Sequence, residues 1–445
     1  MRLTICLVLV LLCRCSQLDA QARWVMKDPQ NPGFLLTTEI TGDTITGFTR
    51  KGALKDYVEE SKFTLLKMAA GLKFPEIVHF TGRFKPGNTA NFDGTYNYLF
   101  TENSFRGLLT RDSLIITLLD KENKTVRILR GVKAGAKPGT DFTQVIANIL
   151  GLTEKHLYDP AFLASKDWEN FRQRLTAAAP LIRDDMEMQV GFFAMVREFP
   201  LSHYALQITD GREKKAADGP NFMLSEPAPG IGLLRIRAFE GPRQAIDTVI
   251  DRIAANGYTT LIIDLRDNGG GSQETALPLM AFLATKPLYG GFFPNRKWSE
   301  QFKRIPADSD YHYFNEFIAG TLDEFYREAG RGYGLYIKVM PAAKHFGGKV
   351  YVLTNQNTAS TSEILALGLK ENKLAVLAGK KTAGAALSSK KFPVDKRVSV
   401  MIPVNDYISP LGYRIDKRGI VPDMKINTGD ELDYLLKYIS SEAAK

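Results

Sequence analysis

The feature that most constrains the fold is an apolar run that ends in three consecutive glycines. Residues 259–272 read Thr-Thr-Leu-Ile-Ile-Asp-Leu-Arg-Asp-Asn-Gly-Gly-Gly-Ser. Such a run is typical of a strand buried on both faces, and glycines allow a sharp turn and close approach to a ligand. Apolar residues at helical spacing precede it, which predicts a helix, a buried strand and a glycine turn: Ala245, Ile246, Val249, Ile250 and Ile253. The N–H groups of this turn could stabilise a developing oxyanion. The alternative is a phosphate-binding loop, but its Gly-x-x-x-x-Gly-Lys-Ser/Thr pattern does not follow.

A second strand-to-helix turn carries a serine. The run Lys349–Leu353 is β-branched and aromatic, as strands prefer, and apolar residues from Ile364 to Leu369 suit one face of a helix. Ser360 stands between the two. A serine on such a turn points its hydroxyl outward beside the free N–H groups of the helix start, so Ser360 is a candidate nucleophile. The alternative is that Ser360 only caps the helix.

Four sequence blocks carry a resemblance to a known family. They are Gly232–Phe239, Leu261–Gly271, Thr358–Glu363 and Gly419–Asp423, and the resemblance that they carry covers roughly residues 140 to 425. In this order and spacing the chain resembles the carboxy-terminal processing (tail-specific) protease family, which includes the tricorn core and retinoid-binding repeats of a photoreceptor matrix protein. The resemblance implies an α/β core of the ClpP/crotonase-like kind and hydrolysis of peptide bonds.

The resemblance also implies that the nucleophile is paired with either a lysine or a histidine. In the serine–lysine branch the lysine follows a Thr-x-Gly turn downstream of the nucleophile. Here the turn Thr382–Gly384 is followed by Ala385, which cannot accept a proton. A displaced lysine remains an alternative, although it would need burial that lowers its pKa. The lysines near this turn are Lys380, Lys381, Lys390 and Lys391.

The tricorn-like branch instead implies a histidine base and a carboxylate that orients it. Of the five histidines, only His203 lies where the family's base would, and Ser202 precedes it as in the tricorn Ser-His pair. Histidine suits the task because its pKa is near neutral. Asp416 takes the position of the orienting acid, usually a glutamate in this family. The alternatives are that His203 is an ordinary strand residue and that Asp416 pairs with Lys417 or Arg418 at the surface.

The resemblance assigns the oxyanion hole to backbone amides. The expected donors are the N–H groups of Gly270 and Thr361, with Gly269 or Gly271 as substitutes for Gly270. Removal of one such donor typically costs about 3 kcal/mol of transition-state stabilisation.

The amino terminus predicts export. Residues 1–22 combine a basic start, an apolar segment and a small-x-small site at Ala20–Ala22, as in a secretory signal peptide. All three cysteines (Cys6, Cys13 and Cys15) lie within it, so the mature chain would need no disulfide and no thiol chemistry. A lipid anchor on Cys13 or Cys15 is disfavoured by the residues that precede them. We expect a periplasmic or secreted protein without a transmembrane segment after cleavage near Ala22.

The remaining chain is expected to form an amino-terminal β-rich domain, a small helical region and the protease core. The segment between His203 and Gly232 is too short for a PDZ module. The net charge of +9 is scattered, which does not favour nucleic-acid binding. The expected divisions are 1–22 (signal peptide), 23–135 (mainly β), 136–195 (helical), 196–430 (core, with a helical insertion at about 295–345) and 431–445 (carboxy-terminal helix or tail).

These observations predict an exported serine endopeptidase that acts on polypeptides. Ser360 would be the nucleophile, His203 the base, and Asp416 with Ser202 the groups that support it, without a metal or organic cofactor. One alternative is an inactive relative that binds a peptide or an apolar ligand in the same cleft. Another is a scaffold that acts through its β domain. The sequence leaves the oligomeric state open.

Overall fold

The computed structural model describes residues 20–60, 62–64, 66, 72–135, 140–209, 219–427 and 429–443. The predicted signal peptide lies outside these ranges except for residues 20–22, and the three cysteines lie outside them altogether. No helix within these ranges combines the length and the apolar character needed to cross a bilayer.

The amino-terminal region is a closed antiparallel barrel. Its strands are β1 (Gln21–Lys27), β2 (Phe34–Thr41), β3 (Thr44–Phe48), β4 (Val78–Phe84), β5 (Asn91–Tyr98), β6 (Thr101–Leu109), β7 (Ser113–Leu119) and β8 (Thr125–Lys133). Each strand pairs with the next, and β1 pairs with β8 to close the barrel. Aromatic rings fill the interior, as is usual for a barrel of this size, with the ring centroid of Phe92 5.5 Å from that of Phe105. The predicted mainly-β domain is thus confirmed.

A short helix, α1 (Ala53–Tyr57), lies between β3 and β4. Residues 60, 62–64 and 66 of the same connection are also helical.

A helical layer follows the barrel. It contains α2 (Phe142–His156), α3 (Pro160–Leu163), α4 (Lys166–Ala178), a 3-10 turn (Ala179–Leu181) and α5 (Asp185–Val196). Trp168, Phe171 and Leu175 are buried on one face of α4, as their spacing predicts. Strand β9 (Ala205–Ile208) comes after α5, so α5 leads directly into the segment that carries Ser202 and His203.

The rest of the chain alternates strands and helices. In chain order these are β10 (Phe222–Ala228), β11 (Ile231–Ile236), α6 (Arg243–Ala255), β12 (Thr260–Asp264), α7 (Gln273–Leu283), β13 (Leu288–Pro294), α8 (Arg296–Phe302), a 3-10 turn (Asp308–Tyr313), β14 (Asn315–Phe317), α9 (Leu322–Ala329), β15 (Gly334–Val339), β16 (Lys349–Thr354), α10 (Thr361–Glu371), β17 (Val376–Gly379), β18 (Ser388–Pro393), β19 (Val398–Asn405), β20 (Met424–Lys425) and α11 (Glu431–Ala443).

The central sheet explains why the two turns found in the sequence meet. Its strand order is β10-β11-β12-β16-β17-β20, and all neighbours except β10 and β11 run parallel. Every residue of β12 is buried, as its continuous apolar run predicts. Because β12 and β16 are parallel neighbours, the glycine loop after β12 and Ser360 after β16 lie at the same edge of the sheet.

Two smaller sheets flank this core: β13-β15-β14 and β18-β19-β9. The prediction of a helical insertion at about 295–345 is wrong in part. This segment contains strands β14 and β15 of the first small sheet as well as helices α8 and α9. The reason is visible in β15, where Leu335, Ile337 and Val339 are buried at alternate positions, the period of a strand rather than a helix.

Candidate active site

Ser360 occupies the sharp turn between β16 and α10. Its φ is 59° and its ψ is −126°, a backbone conformation that non-glycine residues rarely adopt and that is found at functional turns. Ser360 stands at the N-cap position, but its hydroxyl makes no capping hydrogen bond.

The buried carboxylate of Glu363 accepts the backbone N–H of Ser360 and holds this turn in place. Glu363, which is fully buried, accepts hydrogen bonds from the N–H of Ser360 (3.2 Å), the hydroxyl of Thr382 (2.5 Å) and the N–H groups of Gly384 and Ala385 (2.8 Å each). Burial raises the pKa of Glu363 above its ordinary value, although these donors oppose the rise. Glu363 thus fastens the nucleophile turn to the loop that follows β17.

The glycine loop packs directly against Ser360. A Cβ atom at Gly270, whose φ is +101°, would lie 2.7 Å from the Cβ of Ser360 and 3.0 Å from the nitrogen of Thr361. The N–H of Thr361, at the first turn of α10, has no acceptor among the described residues. The N–H of Gly270 instead donates to the side-chain oxygen of Asn268 at 2.9 Å. Of the two expected oxyanion donors, the N–H of Thr361 is free and that of Gly270 already has an acceptor in this structure.

Asn268 organises this loop, a role that the sequence did not reveal. Its side chain is fully buried and donates to the carbonyl of Ile236 at 3.0 Å, while its own carbonyl accepts the N–H of Ala359 at 3.0 Å. Asn268 therefore ties the glycine loop to β11 and to the residue before Ser360. The signal available in the sequence was an asparagine directly before the glycines.

Ser202, His203 and Asp416 form a hydrogen-bonded chain. The hydroxyl oxygen of Ser202 lies 2.8 Å from Nδ1 of His203 and 2.5 Å from Oδ1 of Asp416, and the Ser202 N–H donates to Oδ2 of Asp416 at 3.2 Å. Nε2 of His203 makes no hydrogen bond with any described residue. Burial lowers the pKa of His203 below its ordinary value, while Asp416 opposes that shift.

The surface alternative for Asp416 is wrong. The residue is only 2% exposed, and its carboxylate accepts hydrogen bonds from Ser202 and from the N–H of Ala386 (3.3 Å) rather than pairing with its exposed neighbours Lys417 and Arg418. The Ser202 hydroxyl therefore bridges Asp416 and His203.

The dipeptide Ala385–Ala386 connects Ser360 to Asp416. The carbonyl of Ala385 accepts the N–H of Ser360 at 2.8 Å, and the N–H of the next residue, Ala386, donates to Asp416. Ser360 and Asp416 therefore contact adjacent residues of one loop, although they are far apart in sequence. A further hydrogen bond, from the hydroxyl of Ser389 to the carbonyl of His203 (3.1 Å), holds the histidine segment against β18.

The lysines near this loop point to solvent. Lys380, Lys381, Lys390 and Lys391 are all exposed, and Lys380 pairs with Glu431 at 2.9 Å.

Within the described residues, no group of three or more His, Cys, Asp or Glu side chains is arranged to hold a metal ion.

Comparison with known proteins finds similarity in the core of the chain. Residues 230–426 match the model of peptidase family S41. The carboxyl-terminal-processing protease of Picosynechococcus sp. is 44% identical over 194 residues, which is 43% of this chain and 38% of that protein. The chloroplastic carboxyl-terminal-processing peptidase 2 of Arabidopsis thaliana is 26% identical over 197 residues, or 44% of this chain and 32% of that protein. The matched part of the chain thus spans about a third of these relatives.

Solved structures show only distant likeness. A lipoprotein from Streptococcus agalactiae is 16% identical with a TM-score of 0.47, covering 69% of this chain and 98% of that one. The photosystem II D1 C-terminal processing protease is 13% identical with a TM-score of 0.42, covering 64% of this chain and 93% of that one.

The turn of Ser360 and the glycine loop, which the parallel sheet brings together, lie within the part of the chain that matches the model of peptidase family S41, residues 230–426.

Proposed function

We propose that this chain is a serine endopeptidase in which Ser360 attacks the scissile carbonyl and His203 takes the proton of the serine hydroxyl. The observation that carries the proposal is the hydrogen-bonded chain from His203 through Ser202 to Asp416, joined to Ser360 by Ala385 and Ala386. This arrangement follows the roles of a nucleophile, a base and an orienting acid, by which such sites are recognised.

The direction of the hydrogen bonds assigns the tautomer of the base. The Ser202 hydroxyl donates its single proton to Oδ1 of Asp416. The Ser202 oxygen then accepts from His203, which places the imidazole proton on Nδ1. Nε2 is left with a lone pair, the form that a base needs.

The chemical steps balance with these residues alone. The Ser360 oxygen bonds to the substrate carbonyl carbon as its proton passes to Nε2 of His203, and the developing oxyanion would lie near the N–H of Thr361 and the glycine loop. His203 returns the proton to the leaving amine when the peptide bond breaks. Water then attacks the acyl-enzyme and gives a proton to His203, which passes it to the Ser360 oxygen as the ester bond breaks and the second product leaves.

The lowered pKa of His203 supports work at neutral and mildly acidic pH. The base acts only when it is neutral, and burial favours the neutral imidazole. As the pH is lowered, kcat/KM should therefore fall to half of its maximum at a pH below the ordinary pKa of histidine, which is about 6.5.

A serine-reactive fluorophosphonate probe tests the proposal. We expect stoichiometric labelling and peptide cleavage by the folded chain, both lost in Ser360→Ala and retained in Ser104→Ala, which alters an exposed barrel serine. His203→Ala should also abolish both. Binding of peptides without labelling or cleavage would instead establish the inactive binding protein, and partner binding that survives Ser360→Ala without any cleavage would indicate a scaffold.

We also propose that residues 1–22 direct export and are removed near Ala22. Supporting this are the basic start, the apolar segment and the small-x-small site. Cleavage after Ala22 would leave Arg23–Lys27 of β1, including residues paired with both β2 and β8. Mass spectrometry of the mature protein tests it, and an intact Met1 on exported protein would refute cleavage.

A further inference from the structure

The backbone of His203 adopts a conformation that few residues other than glycine take. Its φ is 59°, in the left-handed region. His203 lies two residues before β9, and so outside the ladder of hydrogen bonds that β9 makes with β19. Such a conformation persists only where the surrounding structure holds it, and the direction of the imidazole depends on it.

The hydroxyl of Ser389 in β18 holds this backbone from the far side of β19. It donates to the carbonyl of His203 at 3.1 Å, although β18 and β9 are not neighbours in their sheet. Ser389 is only 6% exposed. Because the bond is shielded from water, its loss would leave a polar group without an equivalent partner. Ser389 therefore fixes the backbone from which the imidazole projects.

Tyr326 in α9 fixes Ser389 in turn. Its hydroxyl donates to the backbone carbonyl of Ser389 at 2.5 Å. The cross-strand partner of Ser389 is Pro403, which has no N–H to give to that carbonyl. The tyrosine hydroxyl therefore supplies a donor that this position of the sheet lacks.

Helix α9 presents Tyr326 from a fixed position. A capping box closes its start: the N–H of Thr321 donates to the carboxylate of Glu324 at 2.8 Å, and the N–H of Glu324 donates to the hydroxyl of Thr321 at 3.3 Å. Phe325 is 3% exposed, and its ring centroid lies 5.0 Å from that of Phe293 in β13. A helix that is capped and anchored in the core can hold a side-chain hydroxyl precisely.

We propose that Ser389 and Tyr326 are positioning residues for the base, connected in the order Tyr326, Ser389, His203. Both hydroxyls bond to backbone carbonyls, so neither takes part in the proton transfer itself. They keep the backbone of His203 in the conformation that aims the imidazole. This inference rests on the proposed function and adds that the segment at about 295–345, through α9, helps to place the base.

The experiment is steady-state kinetics on Ser389→Ala, Tyr326→Phe and the double variant. Each single change removes one hydroxyl with little change in volume. We expect kcat to fall about 10-fold with KM little changed, because a misplaced base slows the chemical step and leaves substrate binding intact. The double variant should lose no more than Ser389→Ala alone, since Tyr326 acts through Ser389. Ser389→Thr keeps a hydroxyl and should recover part of the activity.

Two matched controls come from the same part of the molecule. Ser399→Ala removes a hydroxyl of similar burial from β19 of the same small sheet, where Ser399 is 9% exposed. Tyr336→Phe removes a tyrosine hydroxyl that donates to exposed Glu316 at 2.6 Å. Both should keep the wild-type kcat. Losses in the controls equal to those in Ser389→Ala and Tyr326→Phe would overturn the inference, as would losses that multiply in the double variant.

Histidine NMR provides a readout that needs no activity. The imidazole resonance that is lost in His203→Asn identifies His203, and we expect it to shift in Ser389→Ala and Tyr326→Phe but not in Ser399→Ala or Tyr336→Phe. An unmoved resonance in the first two variants would overturn the inference. A wild-type chain whose Ser360 is unreactive would refute the proposed function separately, because the resonance would still report the placement of the imidazole.

Discussion

The carbonyl of Ala385 accepts the backbone N–H of Ser360 at 2.8 Å, at the position where the serine–lysine branch of the family would carry its base. A methyl side chain can neither accept nor donate a proton there. The same loop instead presents its backbone, and the next N–H contacts Asp416. The loop therefore holds Ser360 and Asp416, the proposed nucleophile and orienting acid, in one hydrogen-bonded unit.

The close contact between Gly270 and Ser360 predicts a sharp contrast between neighbouring glycines. Gly270→Ala would place a methyl group 2.7 Å from the Cβ of Ser360 at a φ of +101°, so the loop or the nucleophile must move. We expect kcat/KM to fall about 100-fold or more, the loss typical of a damaged oxyanion hole. Gly269→Ala is the matched control, because a Cβ there meets nothing within 4 Å. Equal losses in both variants would contradict the argument.

Ser202→Ala should break the link between His203 and Asp416 while leaving the nucleophile in place. The imidazole then loses the acceptor that keeps its proton on Nδ1. We expect kcat to fall about 10- to 100-fold with KM little changed, in line with the usual contribution of a positioned base. Ser202→Thr retains a hydroxyl and should recover part of the loss. Steady-state kinetics on one peptide decide the matter, and full activity of Ser202→Ala would remove Ser202 from the mechanism.

Local patterns predicted the central elements well. The all-buried run of β12 and the strand before Ser360 could be identified from the sequence because their apolar residues follow simple periods. The resemblance then identified the segments that carry Ser202, His203 and Asp416, which the structure brings into one hydrogen-bonded chain.

Long-range contacts could not be predicted in the same way. Nothing in the local sequence shows that Asn268 holds Ala359, that Ala386 donates to Asp416, or that Tyr158 reaches Arg414. Each depends on how distant strands and loops pack. The insertion was mispredicted for a related reason, since the alternation of β15 is short and lies among aromatic residues that also suit a helix.

The buried carboxylate of Glu363 predicts a loss of stability and of reactivity together. Glu363→Gln puts an NH2 group where N–H groups of Gly384 and Ala385 now donate, leaving at least one buried donor unpaired. We expect unfolding free energy to fall by about 1–3 kcal/mol and labelling of Ser360 by the fluorophosphonate to slow. Urea unfolding and labelling rates measure the two effects. The control is Glu300→Gln at an exposed position of α8, which should change neither the unfolding free energy nor the labelling rate. An unchanged labelling rate in Glu363→Gln would show that the turn of Ser360 does not depend on the hydrogen bonds of Glu363.

Asp184, at the junction of the barrel and α5, predicts a pH dependence of stability. Its carboxylate accepts the N–H groups of Leu35 in β2 and Glu187 in α5, and burial raises its pKa to about 7. Because the folded-state pKa lies above the unfolded value, the contribution of Asp184 to stability is fully present below about pH 3.8 and is lost as the pH rises through about 7. Asp184→Asn removes this titration, so the unfolding free energy should vary less between pH 4 and pH 8 than in the wild type. Urea unfolding across that range tests the prediction, with Asp141→Asn, an exposed N-cap of α2, expected to keep the wild-type slope. An unchanged slope in Asp184→Asn would mean that other groups carry the pH dependence.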